Sequence, residues 1–331
     1  MDNFCYSVVI RTTGQAGEKY ARLLSCIREL RPKPKEIIVV LPEGASIPQA
    51  QLGCESFCFC PKGMVRQRLY GLEQCTSSYA LFCDDDIAFE KDFVVKLHKP
   101  IAEGVAELSA GPLLSFFPQK GARALLSAVM GKTAPMFPWR KAYVKVLRSS
   151  GYSYNRRINT SKCMYYPAES LPWTCFYAKT SSMREICLDD ETWLDSHGYA
   201  SMDDQTMFYK AYLRGICAVV VSDAIYEHLD AKTSTKERKN RGNICYSTGF
   251  NRVVFWHRFL FNIRQKRMER IIDTICFSYN CLAECFYSKI SVFRGKKEKN
   301  DHKMFVKGIL DGIRYIKSEE YRKMAPVSRK A

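Results

Sequence analysis

No apolar run in this 331-residue chain reaches the ~20 residues needed to cross a bilayer. Nor does the sequence open on a targeting signal. The stretch Tyr6-Ser7-Val8-Val9-Ile10 reads as a core strand and begins almost at once, so neither a signal peptide nor a leader is expected. Internal repeats and low-complexity tracts are also missing, which excludes a repeat array. Acidic residues are scarce at one end only. Residues 1–231 hold 27 basic and 25 acidic side chains, a net of +2, whereas 232–331 hold 24 and 9, a net of +15. Nearly all the positive charge therefore sits in the last hundred residues, and the split implies two functional parts, 1–231 and 232–331.

Cysteine is not scarce. The 15 cysteines are scattered, many within apolar segments (Cys5, Cys26, Cys83, Cys217, Cys276), which suits reduced, core-filling thiols in a cytoplasmic protein. Cys54, Cys58 and Cys60 have no second matched pair and alternate with Phe57 and Phe59. That pattern favours a strand with small buried residues over a zinc site. With 47% apolar and 13% aromatic residues, the chain can bury a substantial core.

The first hundred residues alternate between strand and helix patterns. Strand Tyr6–Arg11 precedes a helix in which Tyr20, Leu23, Leu24, Ile27 and Leu30 share one face. The β-branched run Glu36–Leu41 follows, then a helix over about 64–74, then strand Tyr79–Cys83. Strands alternating with helices through short connectors imply an α/β fold with a doubly wound, mostly parallel sheet. Ligands bind such sheets at the carboxyl ends of the strands. Further on, a strand is expected over Trp173–Ala178, a helix from Asp204 to Arg214 ended by Gly215, and a strand over Cys217–Val221.

One such strand end carries Asp84-Asp85-Asp86. Adjacent anions beside a buried strand are costly unless something positive binds there. A hard divalent cation with oxygen ligands answers that cost, whereas solvated turn aspartates are the plain alternative. Arg66 and Arg68 lie on the preceding helix, where guanidinium groups either meet phosphate, brace the acids or face solvent. Asp203 and Asp204 stand at a helix N-terminus, where a cap is the local reading of Asp204. His228 follows a strand able to return to the same sheet edge. Trp173 either stacks on a sugar face or fills the core.

In this order the segments resemble the inverting glycosyltransferases of family two, with the GT-A fold, from Ser7 to about His228. Ser7-Val8-Val9-Ile10-Arg11-Thr12 is similar to the family's opening strand. Gln67-Arg68-Leu69-Tyr70-Gly71 is similar to its Q-R-N-x-G, with Leu69 in place of Asn. Leu81–Asp86 matches its D-x-D segment, and Met202-Asp203-Asp204-Gln205 its E-D segment, with Lys210 and Gly215 beyond. The resemblance implies a nucleotide-diphosphate sugar donor bound through Thr12, Glu43, Arg68, Asp84 and Asp85. It implies Mn²⁺ or Mg²⁺ on Asp86 and His228, and Asp204 as the general base acting on a hydroxyl of a glycan or lipid-linked acceptor. Asp203 and Trp173 are then substrate-side residues. A metal-dependent nucleotidyltransferase is the alternative enzyme.

The last hundred residues read as a basic, helical C-terminal region. Phe250–Phe261, Ile271–Phe293 and Phe305–Ile316 are apolar and aromatic beside Lys/Arg clusters. Such a region suits peripheral docking on an anionic membrane surface at the inner face, or packing on the catalytic domain. Nucleic acid is the competing partner, but no nucleic-acid motif accompanies the charge. Lys232–Arg241 reads as a lid or a linker.

Overall fold

Apolar side chains on alternate positions of the strands fill both faces of a central sheet, as a doubly wound arrangement requires. The computed structural model describes residues 4–114, 121–134, 143–155, 157–197, 199–229, 238–327 and 329. In chain order the elements begin β1 (Tyr6–Arg11), α1 (Glu18–Glu29), β2 (Glu36–Pro42), β3 (Glu55–Cys60), α2 (Met64–Gln74) and β4 (Tyr79–Asp84). Next come β5 (Ile87–Phe89), α3 (Phe93–Ala102), β6 (Leu108–Ala110), α4 (Ala122–Val129), β7 (Val144–Val146), β8 (Ser153–Asn155) and β9 (Tyr165–Pro167). Then follow β10 (Cys175–Lys179), α5 (Thr180–Glu185), a 3₁₀ segment (Leu188–His197), α6 (Asp203–Leu213), β11 (Ala218–Val221) and β12 (Tyr226–His228). The chain closes with α7 (Arg238–Phe255), a π-helical segment (Trp256–Phe261), α8 (Arg267–Phe293), α9 (Lys299–Tyr315) and α10 (Glu319–Lys323).

The main sheet runs β3-β2-β1-β4-β10-β6-β11-β9. Its first four strands are parallel, β10 is antiparallel to both β4 and β6, β11 is parallel to β6, and β9 is antiparallel to β11. Val8, Ile10 and Leu81 point to the face covered by α1 and α3, and Val9, Ile38 and Phe82 to the face covered by α2. The helical spacing seen in the sequence is the packing face of α1: Tyr20, Leu23, Leu24 and Ile27 are buried there. Leu30 lies one residue beyond the helix and is buried too. The strand expected from Trp173 starts at Cys175, because 171–174 form a turn whose Trp173 N–H is given to a side chain.

All 15 cysteines are free thiols. Cys26, Cys60, Cys75, Cys83 and Cys175 are buried as core fillers, whereas Cys5 and Cys217 are exposed, each one residue outside its strand. No described helix is long and apolar enough to cross a membrane.

Helices after residue 238 share the core of the sheet's α2 face through Phe250, Val253, Phe259 and Phe277. Residues 230–237, which hold the 231/232 boundary and most of the Lys232–Arg241 stretch, lie outside the described set. A buried ion cluster fastens the π segment to the rest. Arg258 makes a two-pronged contact with Glu191, 2.8 Å for each prong, and Lys210 Nζ lies 2.7 Å from Glu191 Oε1. Burial alone would raise the Glu191 pKa; hydrogen bonds from Arg258 and the Lys210 charge outweigh it and hold the carboxyl below its ordinary value. Glu191→Ala strands two buried cations and is expected to cost about 3–5 kcal/mol, read as a lower denaturant midpoint. A loss below about 1 kcal/mol contradicts that role.

Candidate active site

Parallel pairing of β1 with β4 sets Arg11 beside Asp84 at the carboxyl ends of both strands. Arg11 Nε lies 3.0 Å from Asp84 Oδ1, and Arg68 Nη2, from α2, lies 2.7 Å from the same oxygen. Two guanidinium groups thus clasp one carboxylate. Burial works against the charge on Arg11, but Asp84 and Asp85 outweigh it and push its pKa up. Arg68 is more deeply enclosed, and burial lowers its pKa to about 10 despite Asp84. Arg68 also donates to the Trp173 carbonyl at 3.2 Å and sits over the Trp173 ring, 4.7 Å from its centroid.

The position of α2 makes this clasp possible. Its first three N–H groups, from Met64, Val65 and Arg66, donate to the Asp195 carboxylate, which satisfies the open helix end. Gln67 Nε2 donates to the carbonyls of Thr12 and Val40, 3.1 Å each, tying the helix to the ends of β1 and β2. Gly71 lets α2 lie close to the sheet: a Cβ there would stand 2.4 Å from a Val9 methyl.

Thr12 Oγ1 donates to Asp85 Oδ2. Burial raises the Asp85 pKa to about 6, with the Thr12 hydrogen bond and Arg11 opposing and the Asp84 and Asp86 charges adding to the rise. His228 arrives by a separate route. β12 pairs with β5 so that His228 faces Ile87, and His228 Nε2 comes within 3.3 Å of Asp86 Oδ1. The Leu229 N–H, 2.7 Å from the Asp86 carbonyl, fixes that approach.

Asp203 and Asp204 open α6 directly after Met202, whose φ of 72° turns the chain sharply into the helix. Asp204 Oδ1 accepts the Trp173 N–H at 2.8 Å. Both side chains keep some accessible surface, yet they sit deep among protein atoms. Burial raises the pKa of each, and for Asp204 the Asp203 charge adds to it. A partly accessible carboxylate with a raised pKa, oriented by a backbone donor, is suited to take a proton.

The expected residues Thr12, Arg68, Asp84, Asp85, Asp86, Asp203, Asp204 and His228 gather in this cluster through these contacts. Glu43 does not join them: it is exposed in the turn after β2, two strands from β4. Trp173 is 2% exposed, with its ring against Arg68 and edge-on to Phe208. Its indole is core, not a sugar platform, and it serves the site through its backbone N–H and carbonyl. Arg66 remains exposed on the far side of α2 from Arg68. Sequence reasoning passed over Arg11, Gln67 and Asp195 as site residues. Arg11 had a readable signal, an arginine ending an apolar strand whose parallel neighbour ends in acids; Asp195 had none, because its partners lie about 130 residues away.

Among the described residues no group of three or more His, Cys, Asp and Glu side chains forms a ready metal cage. The Asp86–His228 pair offers one carboxylate and one imidazole. Such a pair fits a divalent cation that takes the rest of its shell from ligand and water oxygens. Two cavities, of about 380 and 370 Å³, share no residue with this cluster.

No family model matches the chain, and no curated protein matches it. Solved structures do. GalNAc-T7, crystallised with UDP, GalNAc and Mn²⁺, aligns over 85% of this chain at 11% identity with a TM-score of 0.52. This chain spans about half of that one, 55% of its length. S. aureus TarS aligns over 91% of this chain and 90% of its own at 16% identity, with a TM-score of 0.42. TarS in complex with UDP-GlcNAc aligns over 93% and 80% at 16% identity, with a TM-score of 0.46. At these identities the likeness speaks for architecture alone, and it rests on GalNAc-T7: the chain has a mixed α/β fold of the GT-A type with a helical C-terminal region.

Proposed function

We propose that this chain is an inverting glycosyltransferase of the family-two kind, moving a sugar from a nucleotide-diphosphate sugar to an acceptor hydroxyl. Fold likeness alone does not assign chemistry. The observation that carries the reading is the Asp204 carboxylate: raised in pKa, partly accessible, aimed by Trp173 N–H, and linked through Trp173 and Arg68 to Asp84.

In this reading the donor lies across the carboxyl ends of β1 and β4, where doubly wound sheets take nucleotides. Thr12 and Asp85 line the nucleotide, and Asp84, held by Arg11 and Arg68, presents a fixed edge to the ribose. Asp86 and His228 would hold Mn²⁺ or Mg²⁺, which would supply charge neutralisation to the departing diphosphate. Asp204 accepts the proton of the acceptor hydroxyl as that oxygen attacks the anomeric carbon. The bond to the diphosphate breaks on the opposite face, so a single displacement inverts the carbon. Asp203 keeps Asp204 basic through its adjacent charge. The acceptor class is a glycan or a lipid-linked sugar.

Asp204→Asn is expected to lower transfer about 10²–10⁴-fold, the scale of general-base loss. Binding of donor nucleotide with Mn²⁺ should survive, and retained activity removes Asp204 as base. The same substitution should raise the melting temperature. Below the unfolded pKa of ~3.9 the aspartate is neutral in both states, and stability falls as pH rises toward the raised folded value. The gain from Asn is therefore largest at neutral pH and vanishes in acid, a trend that differential scanning calorimetry reads directly.

For kcat, the acid limb should lie well above ~3.9, since the base works only when ionised. Asp86→Ala should weaken nucleotide binding about tenfold or more in the presence of Mn²⁺ and much less in its absence. Equal affinities contradict the cation assignment. The product assay decides the reaction class: a sugar transferase releases nucleoside diphosphate, and release of pyrophosphate contradicts the proposal.

A further inference from the structure

The longest helix among the described residues, α8, is built inside out. Along α8 the residues turned toward the protein are mostly polar: Asp273, Asn280, Glu284 and Ser288, with Phe277 among them. Each has a partner there. Asp273 meets Arg264 at 2.7 Å, Glu284 meets Arg252 at 2.8 Å, Ser288 accepts from Lys297 at 2.9 Å, and Asn280 donates to the Met130 carbonyl. The solvent side carries the large apolar residues. Met268, Ile272, Ile275, Leu282, Phe286 and Phe293 recur at steps of three, four and seven and are between 53% and 84% exposed. A surface helix of a globular protein has the reverse arrangement.

The stripe does not stop at α8. Tyr279, also exposed, donates its hydroxyl to the Val129 carbonyl at 2.8 Å and so holds α4 alongside. Among its residues α4 buries none, and it adds Leu125, Leu126 and Val129 to the exposed apolar surface. With 27 residues, α8 is about 40 Å long. A contiguous apolar surface of that length marks an interaction site.

Charge identifies the occupant. Exposed cations stand at both ends of the stripe, Arg267 and Arg270 at its start and Lys289, Arg294 and Lys296 near its close, with Arg123 on α4. The acids of α8 are spent elsewhere: Asp273 and Glu284 are buried in internal ion pairs, and Glu269 is half-buried beside Arg264. A second copy pairing along this stripe would meet like charge in the parallel and the antiparallel sense alike. An anionic lipid surface meets opposite charge at both ends and accepts the apolar face between them. No described helix is suited to cross a membrane, so the stripe lies along the surface. We propose that the outer face of α8, continued by α4, seats the protein in the headgroup region of a bilayer rich in anionic lipid.

Co-sedimentation of the full chain with vesicles tests this, using phosphatidylcholine alone and phosphatidylcholine mixed with phosphatidylglycerol. The wild-type protein should partition at least about tenfold more onto the mixed vesicles, with the preference shrinking as salt rises. Two variants change exposed residues only and leave the carboxylate cleft untouched. Leu282→Glu/Phe286→Glu should lose about tenfold or more on the mixed vesicles, and Lys289→Glu/Arg294→Glu should lose the anionic preference. Circular dichroism of both should match wild type. The proposal is overturned if both variants bind as wild type does, or if the wild type ignores anionic lipid. It is also overturned if light scattering shows a wild-type dimer that Leu282→Glu/Phe286→Glu converts to monomer.

Discussion

One carboxylate oxygen organises the site: Asp84 Oδ1, shared by Arg11 and Arg68. The contact joins β1, β4 and α2, and through Arg68 it reaches Trp173, whose N–H in turn holds Asp204. Around it stand five carboxylates, those of Asp84, Asp85, Asp86, Asp203 and Asp204, against two guanidinium groups. Burial answers part of that imbalance by raising the pKa values of Asp85, Asp203 and Asp204. A cation beside Asp86 and His228 would answer the rest. Such a cluster does not stabilise the fold, since buried charges recover little more than their desolvation. The apolar cores on the two faces of the sheet carry that burden, and the cleft is held ready at their expense.

The C-terminal helices are part of the same body as far as packing is concerned. Arg258 enters the Glu191–Lys210 cluster, and Asn251 donates to the Ser201 carbonyl at 2.9 Å, just before the turn that starts α6. The helices that form the proposed membrane face are thus fastened, through α7 and the π segment, to the turn between the 3₁₀ segment and α6 that presents Asp203 and Asp204. That coupling joins the proposed catalytic carboxylates and the proposed lipid-facing stripe through packed helices.

Much of this was legible in the residues. The β-branched runs at 6–11 and 36–41 and the one-sided apolar spacing of 20–27 leave little choice of element, and the helix at 64–74 has the predicted bounds. The acidic triplet was readable because three adjacent acids ending an apolar run are electrostatically odd. Long-range pairing was not readable. Nothing in Cys175–Lys179 announces that it runs antiparallel between β4 and β6, since alternation is the same in either direction. Glu43 was drawn in by its place after β2, and the turn at Glu43-Gly44 instead leaves it exposed. For Trp173, type and position suited stacking and packing equally; only the placement of Arg68 over its ring and of Phe208 edge-on to it decided the matter. The apolar character of 271–293 was plain, but its direction was not. Which face turns inward depends on Arg252 and Arg264, distant or flanking residues whose charges draw Glu284 and Asp273 toward the protein.

The central claim is that burial and the neighbouring Asp203 charge hold the Asp204 carboxyl well above its ordinary pKa, as a general base requires. Carbon-13 NMR titration of the aspartate carboxyl groups, with Asp204→Asn used to assign its signal, measures this directly. The account predicts an Asp204 midpoint well above ~3.9. A midpoint at or below that value would contradict it.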